Sequence, residues 1–332
     1  MKNNFIKSTF ILLLGGIITK LLGMIIRISM TRIIGLKGIS LYSLILPTFS
    51  LFITIGQIGL PITLSRLVAL KDRNNKNLYY TIIPFILLFN ILLSLLIILS
   101  SNWIGINLLK NSNTVIIIKA IALVIPFTSI SAIIRSYFFG KEKMFPHTLS
   151  NIIENITRLG IILFLIPKIL YLKTKTIVFY IVLSNILSEG ISILVLILFL
   201  PKKINIKELS FEKYHIKDSL YQAIPNISSN LIGNISYFLE PILLTFILTK
   251  KRYTTFFITT EYGIINGYVI PLLLIPSFFS LAISQSIMPH ISRLYKEKNY
   301  LKVKKLLKQV LLLLLVFAIT ITIILELYGN TL

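Results

Sequence analysis

Glu154 and Arg158 stand one helical turn apart in HTLSNIIENITRLGIILFLIP, residues 147–167, a run whose second half is nearly all hydrocarbon. At i and i+4 they share a helix face, acid first, which is the order that favours pairing. They are not alone. Lys20 sits in ITKLLGMIIR, with Arg27 two turns later and Arg32 beyond; Glu189 interrupts ILSEGISIL, and Glu240 interrupts SYFLEPILL just before Pro241. A charge taken out of water is costly unless it is paired and hydrogen-bonded. Charges of this kind hold ions, hold protons, or switch partners when neighbouring helices move. The residues for catalysis are missing. The sequence has no cysteine, and His147, His215 and His290 lie far apart without metal-ligand spacing. It offers no nucleophile–base pair and no nucleotide loop, so neither an enzyme, a cofactor nor a metal is expected.

The surroundings of these charges set their cost. Of 332 residues, 55% are hydrophobic and only 14% charged, with a mean hydropathy of +0.88. A soluble fold needs a polar skin that this composition does not supply. Apolar runs near 6–30, 40–65, 79–101, 114–138, 148–168, 176–200, 220–248, 261–290 and 306–328 are each long enough to cross a hydrocarbon core of about 30 Å. The expectation is an all-α polytopic membrane protein with about nine spans. The formal charge of +23 does not indicate nucleic-acid binding, because the basic residues lie between apolar runs. With the N-terminus placed in the cytoplasm, the cytoplasmic side carries 21 Lys and Arg and the other side 10, the bias expected of a multi-pass protein of the plasma membrane.

The longest polar segment, PKKINIKELSFEKYHIKDS, follows six apolar runs and precedes three. It divides the chain into an N-lobe (1–200), a cytoplasmic linker (201–219) and a partial C-lobe (220–332). Ser65-Arg66-Leu67 and Ser292-Arg293-Leu294 end corresponding spans of the two lobes, a faint internal repeat of the kind transporters show. Pro47, Pro61, Pro241, Pro271 and Pro276 are expected helix kinks.

A charge at the centre of a spanning helix costs about 2.5–3.5 kcal/mol. Facing a bundle interior or a wet cavity offsets that cost. Charges on several spans therefore imply a polar cavity between helices, with Glu154, Arg158, Glu189 and Glu240 as gating or coupling groups. A structural ion pair near the membrane interface accounts equally well for Glu154 and Arg158, since Pro146 and His147 mark that end as close to the surface.

Three stretches carry a resemblance. GISLYSLILPTFSLFITIGQIGLPITLSRLVA (38–69), RSYFFGKEKMFPHTLSNIIENITRLG (135–160) and EYGIINGYVIPLLLIPSFFSLAISQSIMPHISRLY (261–295) resemble, in order, signatures of the stage V sporulation protein B and polysaccharide biosynthesis flippase family. Ser136 stands where that family more often has Gly. The family belongs to the multidrug/oligosaccharidyl-lipid/polysaccharide flippase (MOP) superfamily, with its MATE transporters and lipid II flippases. The resemblance implies a MATE-like, two-lobed helix bundle around a central cavity, working by alternating access. It also implies that part of the second lobe lies beyond this chain. The implied substrate is a saccharide or peptidoglycan precursor on a polyprenyl diphosphate. Lys20 and Arg32 match the basic run on the first helix of the lipid II flippases; Arg27 is displaced by one residue, and Arg66 is a further candidate for holding the diphosphate. Glu261 and Tyr262 occupy the region where those flippases carry an Arg. Coupling to H⁺, Na⁺ or the membrane potential is implied, with membrane lipids and cell-envelope synthesis proteins as partners. Two other readings stay open: an ion-coupled multidrug exporter of the same superfamily, and a non-transporting scaffold or remnant in envelope or spore assembly. The basic first helix, which carries no acid, favours an anionic substrate.

Overall fold

The computed structural model describes residues 2–69, 75–200, 213–274, 280, 283, 287, 291, 294 and 297–328. The described residues are almost all helical. In hydrocarbon each backbone N–H and C=O needs a partner within its own segment, which is what helices provide. Two compact units form, Met1–Gly267 and Tyr268–Leu332.

In the first unit, the two opening apolar runs are joined in one helical stretch, α1 (Lys2–Gln57). It leaves helical geometry at Gly35, where φ is 64° and ψ −176°. Only glycine adopts that conformation cheaply, so the chain reverses at a single residue where the sequence suggested a loop. The arms on either side are each long enough to span a bilayer at 1.5 Å per residue. A second break, at Ile58 and Gly59, has two successive positive φ values and leads into α2 (Leu60–Ala69). The remaining helices of this unit are α3 (Asn75–Asn102), α4 (Thr114–Gly140), α5 (Met144–Gly160), α6 (Thr174–Phe199), α7 (Lys213–Lys250) and α8 (Thr255–Ile264). After Gly160 the fifth apolar run continues as a wide turn over Ile161–Leu165 and a tight one over Ile166–Ile169, around Pro167. Of the linker expected at 201–219, residues 201–212 lie outside the described residues and the rest is helical in α7.

α4 is the axis of this unit. Most of its residues are buried, although Leu123, Phe127 and Phe139 are exposed. Ile117, Ile121, Val124 and Ile125 are fully buried, packed with Leu44 and Ile45 of α1, Ile97 of α3, and Val178 and Val182 of α6. α3 shows the opposite face of the same physics. Leu88, Leu92, Leu95, Leu96 and Leu99 recur at helical spacing and are exposed, a stripe for lipid rather than water. Polar side chains inside the bundle are tied down. Asn90, fully buried on α3, donates from Nδ2 to the carbonyls of Ile86 (2.8 Å) and Gly56 (3.0 Å), and accepts from Ser129 Oγ on α4 (3.1 Å). The Gly56 carbonyl lies in the last turn of α1, where helix carbonyls lose their own partners. Ser94 Oγ donates to the Ala122 carbonyl at 2.5 Å, a second polar tie between α3 and α4.

The second unit contains the turn of helix Ile270–Leu273 and the helix Tyr300–Tyr328, which is long and apolar enough to cross a membrane. The span expected at 261–290 begins earlier, as α8, and most of its second half lies outside the described residues, as do Pro276, Ser292 and Arg293.

Candidate functional site

From α3 to α8 the helices of the first unit alternate in direction, so their polar faces meet at fixed depths. The inward face of α6 is a run of small polar residues, Ser184, Asn185, Ser188, Glu189 and Ser192, all buried. α5 turns Thr148, Ser150 and Glu154 inward, and α4 contributes Thr128, Ser131 and Ser136. Where these three seams converge, the charges pair. Arg135 on α4 donates from Nη2 to Glu154 Oε2 (2.5 Å), to Ser192 Oγ (2.6 Å) and to Glu189 Oε2 (3.5 Å). Arg158 donates from Nη2 to Glu154 Oε1 at 2.7 Å. Two guanidiniums thus neutralise two carboxylates whose side chains are only 9% and 8% exposed. A cavity of about 340 Å³ between α2, α4 and α5, lined by Ser65, Arg135, Ser136, His147 and Asn151, reaches Arg135 from the N-terminal end of the bundle.

Glu154, Arg158 and Glu189 were legible in the sequence as charges in apolar runs. Arg135, the hub that joins them, was not. Near the end of the fourth apolar run it counts in the sequence as one of the basic residues of the cytoplasmic side, but α4 continues to Gly140 and keeps Arg135 more than a turn inside the helix. The available signal was its spacing: Ser131 lies one turn before Arg135 on the same face of α4, a small residue beside a charge.

A second polar site surrounds Arg27, on α1. Its Nη2 donates to the Asn266 carbonyl at 2.6 Å and to Ser43 Oγ at 3.2 Å, and its guanidinium carbon lies 5.9 Å from the centre of the Tyr42 ring. Tyr237 of α7 is an electrostatic neighbour of both Arg27 and Glu240, and Tyr262 of α8 is a neighbour of Glu240. Gly263 allows this approach of α8 to α1, since a Cβ there would collide with Ser40. Among the described residues no carboxylate forms a salt bridge with Arg27, and its buried Nε has no hydrogen-bond partner. The hydrogen bonds of the Arg27 guanidinium therefore go to neutral groups, with Glu240 beside the neighbouring tyrosines.

The other basic residues expected at a diphosphate site do not gather there. Lys20 lies two turns before Arg27 on the same face of α1 and is exposed. Arg32, also exposed, is close to the Gly35 reversal. Arg66 is exposed in the last turn of α2, at the opposite end of the bundle, because the chain runs back across the membrane between them. Arg135, counted in the 21, and Arg27, counted in the 10, both lie inside helices, which takes one residue from each side of the charge count and leaves its bias in place. The helices run through Pro47 and Pro241, Pro61 lies in the first turn of α2, and Pro271 lies in the turn Ile270–Leu273.

Comparison with known proteins places this arrangement. The chain is 29% identical over 348 residues to stage V sporulation protein B of Bacillus subtilis, covering all of this chain and 66% of that protein; it thus spans just under two thirds of that relative's length. It is 27% identical over 187 residues to the lipid II flippase MurJ of the same organism, covering 51% of this chain and 34% of MurJ. Among solved structures, an inward-facing multidrug resistance MATE family transporter of the MOP superfamily matches with a TM-score of 0.66 at 14% identity, covering 93% of this chain and 69% of that one. The fold is therefore that of the MATE-like transporters. A family model described as polysaccharide biosynthesis protein matches residues 5–295, and the chain belongs to that family of multi-pass membrane proteins.

Proposed function

We propose that this protein moves a polyprenyl-diphosphate-linked saccharide across the cytoplasmic membrane, and that Arg27 holds the diphosphate. The observation that carries this reading is the guanidinium of Arg27, seated among Tyr42, Ser43 and the Asn266 carbonyl and, among the described residues, in no salt bridge with a carboxylate. An anionic headgroup entering the bundle supplies the missing counter-charge, while its hydrocarbon tail stays in lipid. Lys20, on the same face two turns away, extends the basic track. The Arg135–Glu154–Arg158–Glu189 network joins α4, α5 and α6, so a change in its charge biases one packing of these helices over another. The N-terminus lies in the cytoplasm in this reading, following the bias of basic residues.

Reconstitution into liposomes tests it. Arg27→Ala and Lys20→Ala are expected to lower transbilayer movement of the lipid-linked saccharide while inserting normally. Normal movement in both variants overturns the assignment. Glu240, exposed beside Tyr237 and close to Tyr262, favours a second reading, export of an organic cation; efflux of a cationic dye that depends on Glu240, with no movement of the lipid-linked saccharide, would select it.

A further inference from the structure

A basic concavity of the first unit lies apart from the ion network, and Ser40 and Leu41 of its lining lead directly into Tyr42 and Ser43 beside Arg27. It lies at the end of the bundle away from the N-terminus, where the Gly35 reversal meets the connections α3–α4, α5–α6 and α7–α8. Its volume is about 620 Å³. Four lysines line it, Lys37, Lys110, Lys173 and Lys175, together with Asn111 and Thr259, and no Asp or Glu is among its lining residues. Asn111 Nδ2 donates to Thr259 Oγ1 at 3.2 Å, which ties the α3–α4 connection to α8 across the concavity.

Topology reinforces the charge. Helices that start at this end are α4, α6 and α8, and the first residues or N-caps of all three, Asn113, Thr174 and Thr255, line the space. Helix N-termini carry partial positive charge and unsatisfied N–H groups. The N-caps of α4 and α6 supply no side-chain hydrogen bond; only Thr254, before α8, does so. In the orientation set by the charge bias, this is also the side poorer in Lys and Arg. Four of its basic residues nevertheless converge on one concavity.

We infer that this basin is a second anion site, for a polyvalent phosphate group of the diphosphate or phosphodiester class. The inference rests on the cavity and its uncompensated lysines, and holds whether or not Arg27 binds substrate. A phosphate oxygen accepts from lysine ammonium groups and from helix-terminal amides together. Such a site receives a headgroup arriving through the bundle, or holds the headgroup of an anionic membrane lipid.

The test uses the purified protein in nanodiscs of phosphatidylcholine, titrated with inorganic pyrophosphate by calorimetry. The wild type is expected to bind saturably and more weakly as salt rises. Replacing Lys37, Lys110, Lys173 and Lys175 together by Gln is expected to weaken binding at least about tenfold, from a modest contribution by each exposed charge. Replacing the same four by Arg keeps the charge and is expected to keep binding, which separates loss of charge from loss of fold. The lysine variants are compared in an Arg27→Ala background, so that pyrophosphate held by Arg27 does not contribute, and that background is expected to keep the basin's saturable binding. Nanodiscs with phosphatidylglycerol distinguish the source: competition with pyrophosphate assigns the site to lipid headgroups, and its absence to a diphosphate. No saturable binding by the wild type, equal binding by the Gln variant, or loss in Arg27→Ala alone overturns the inference.

Discussion

Neutralising Glu154 probes the interior network most sharply. Glu154→Gln leaves Arg135, Arg158 and Glu189 in place, a cluster with one uncompensated positive charge. Glu154 touches both guanidiniums, at 2.5 and 2.7 Å. A unit charge pair about 4 Å apart is worth about 4 kcal/mol at an effective dielectric constant near 20. Losing two such pairs and relieving the repulsion from Glu189 leaves a net loss of about 4 kcal/mol on the same scale. Arg158 has 27% of its side chain exposed, so water recovers part of its share. The expected cost is about 3 kcal/mol, at the lower end of the range for breaking a buried pair. Adding Arg158→Gln restores neutrality and leaves Arg135 with Glu189, 3.5 Å apart. The double variant is therefore expected to be more stable than Glu154→Gln alone, by about 1–2 kcal/mol after the same discount for exposure. Thermal unfolding in detergent micelles, followed by circular dichroism, orders the three proteins. A double variant as unstable as the single, or less stable, would refute the charge balance assigned to this cluster.

Two further outcomes follow from the packing. Asn90→Ala removes three buried hydrogen bonds and leaves the Gly56 carbonyl and Ser129 hydroxyl short of a partner, so a loss of about 2–3 kcal/mol is expected in the same unfolding assay. Because the chain contains no cysteine, single cysteines report topology without background. Cysteine at Lys143 is expected to label with an impermeant maleimide only from the cytoplasmic side, and cysteine at Lys110 only from the opposite side.

Composition and apolar run length made the helical membrane architecture legible, since both follow directly from solvation. What they could not locate were the breaks. The first two runs merge into one helical stretch because Gly35 alone absorbs the reversal, and nothing in hydropathy separates a one-residue break from a loop. Arg135 was hidden for a related reason: a helix end had to be fixed within one turn before that arginine could be placed inside or outside. Glu154 and Arg158 were legible as a pair because i and i+4 spacing is a local property. Their link to Glu189 was not, because it depends on how α5 and α6 pack. The lysine basin is non-local altogether. Its lysines lie just after the Gly35 reversal and at the α3–α4 and α5–α6 connections, and only the alternation of helix direction brings them together.

The central claim is that Arg27 holds a diphosphate. Its most direct test is binding of a polyprenyl diphosphate to the detergent-purified protein, measured by native mass spectrometry against the uncharged polyprenol. A charge-assisted hydrogen bond of about 1.5–3 kcal/mol corresponds to roughly a ten- to hundredfold change in affinity. The account predicts a loss of that size in Arg27→Ala, a smaller loss in Arg27→Lys, and little affinity for the polyprenol. Equal affinity for the diphosphate and the polyprenol, or unchanged diphosphate binding in Arg27→Ala, would contradict it.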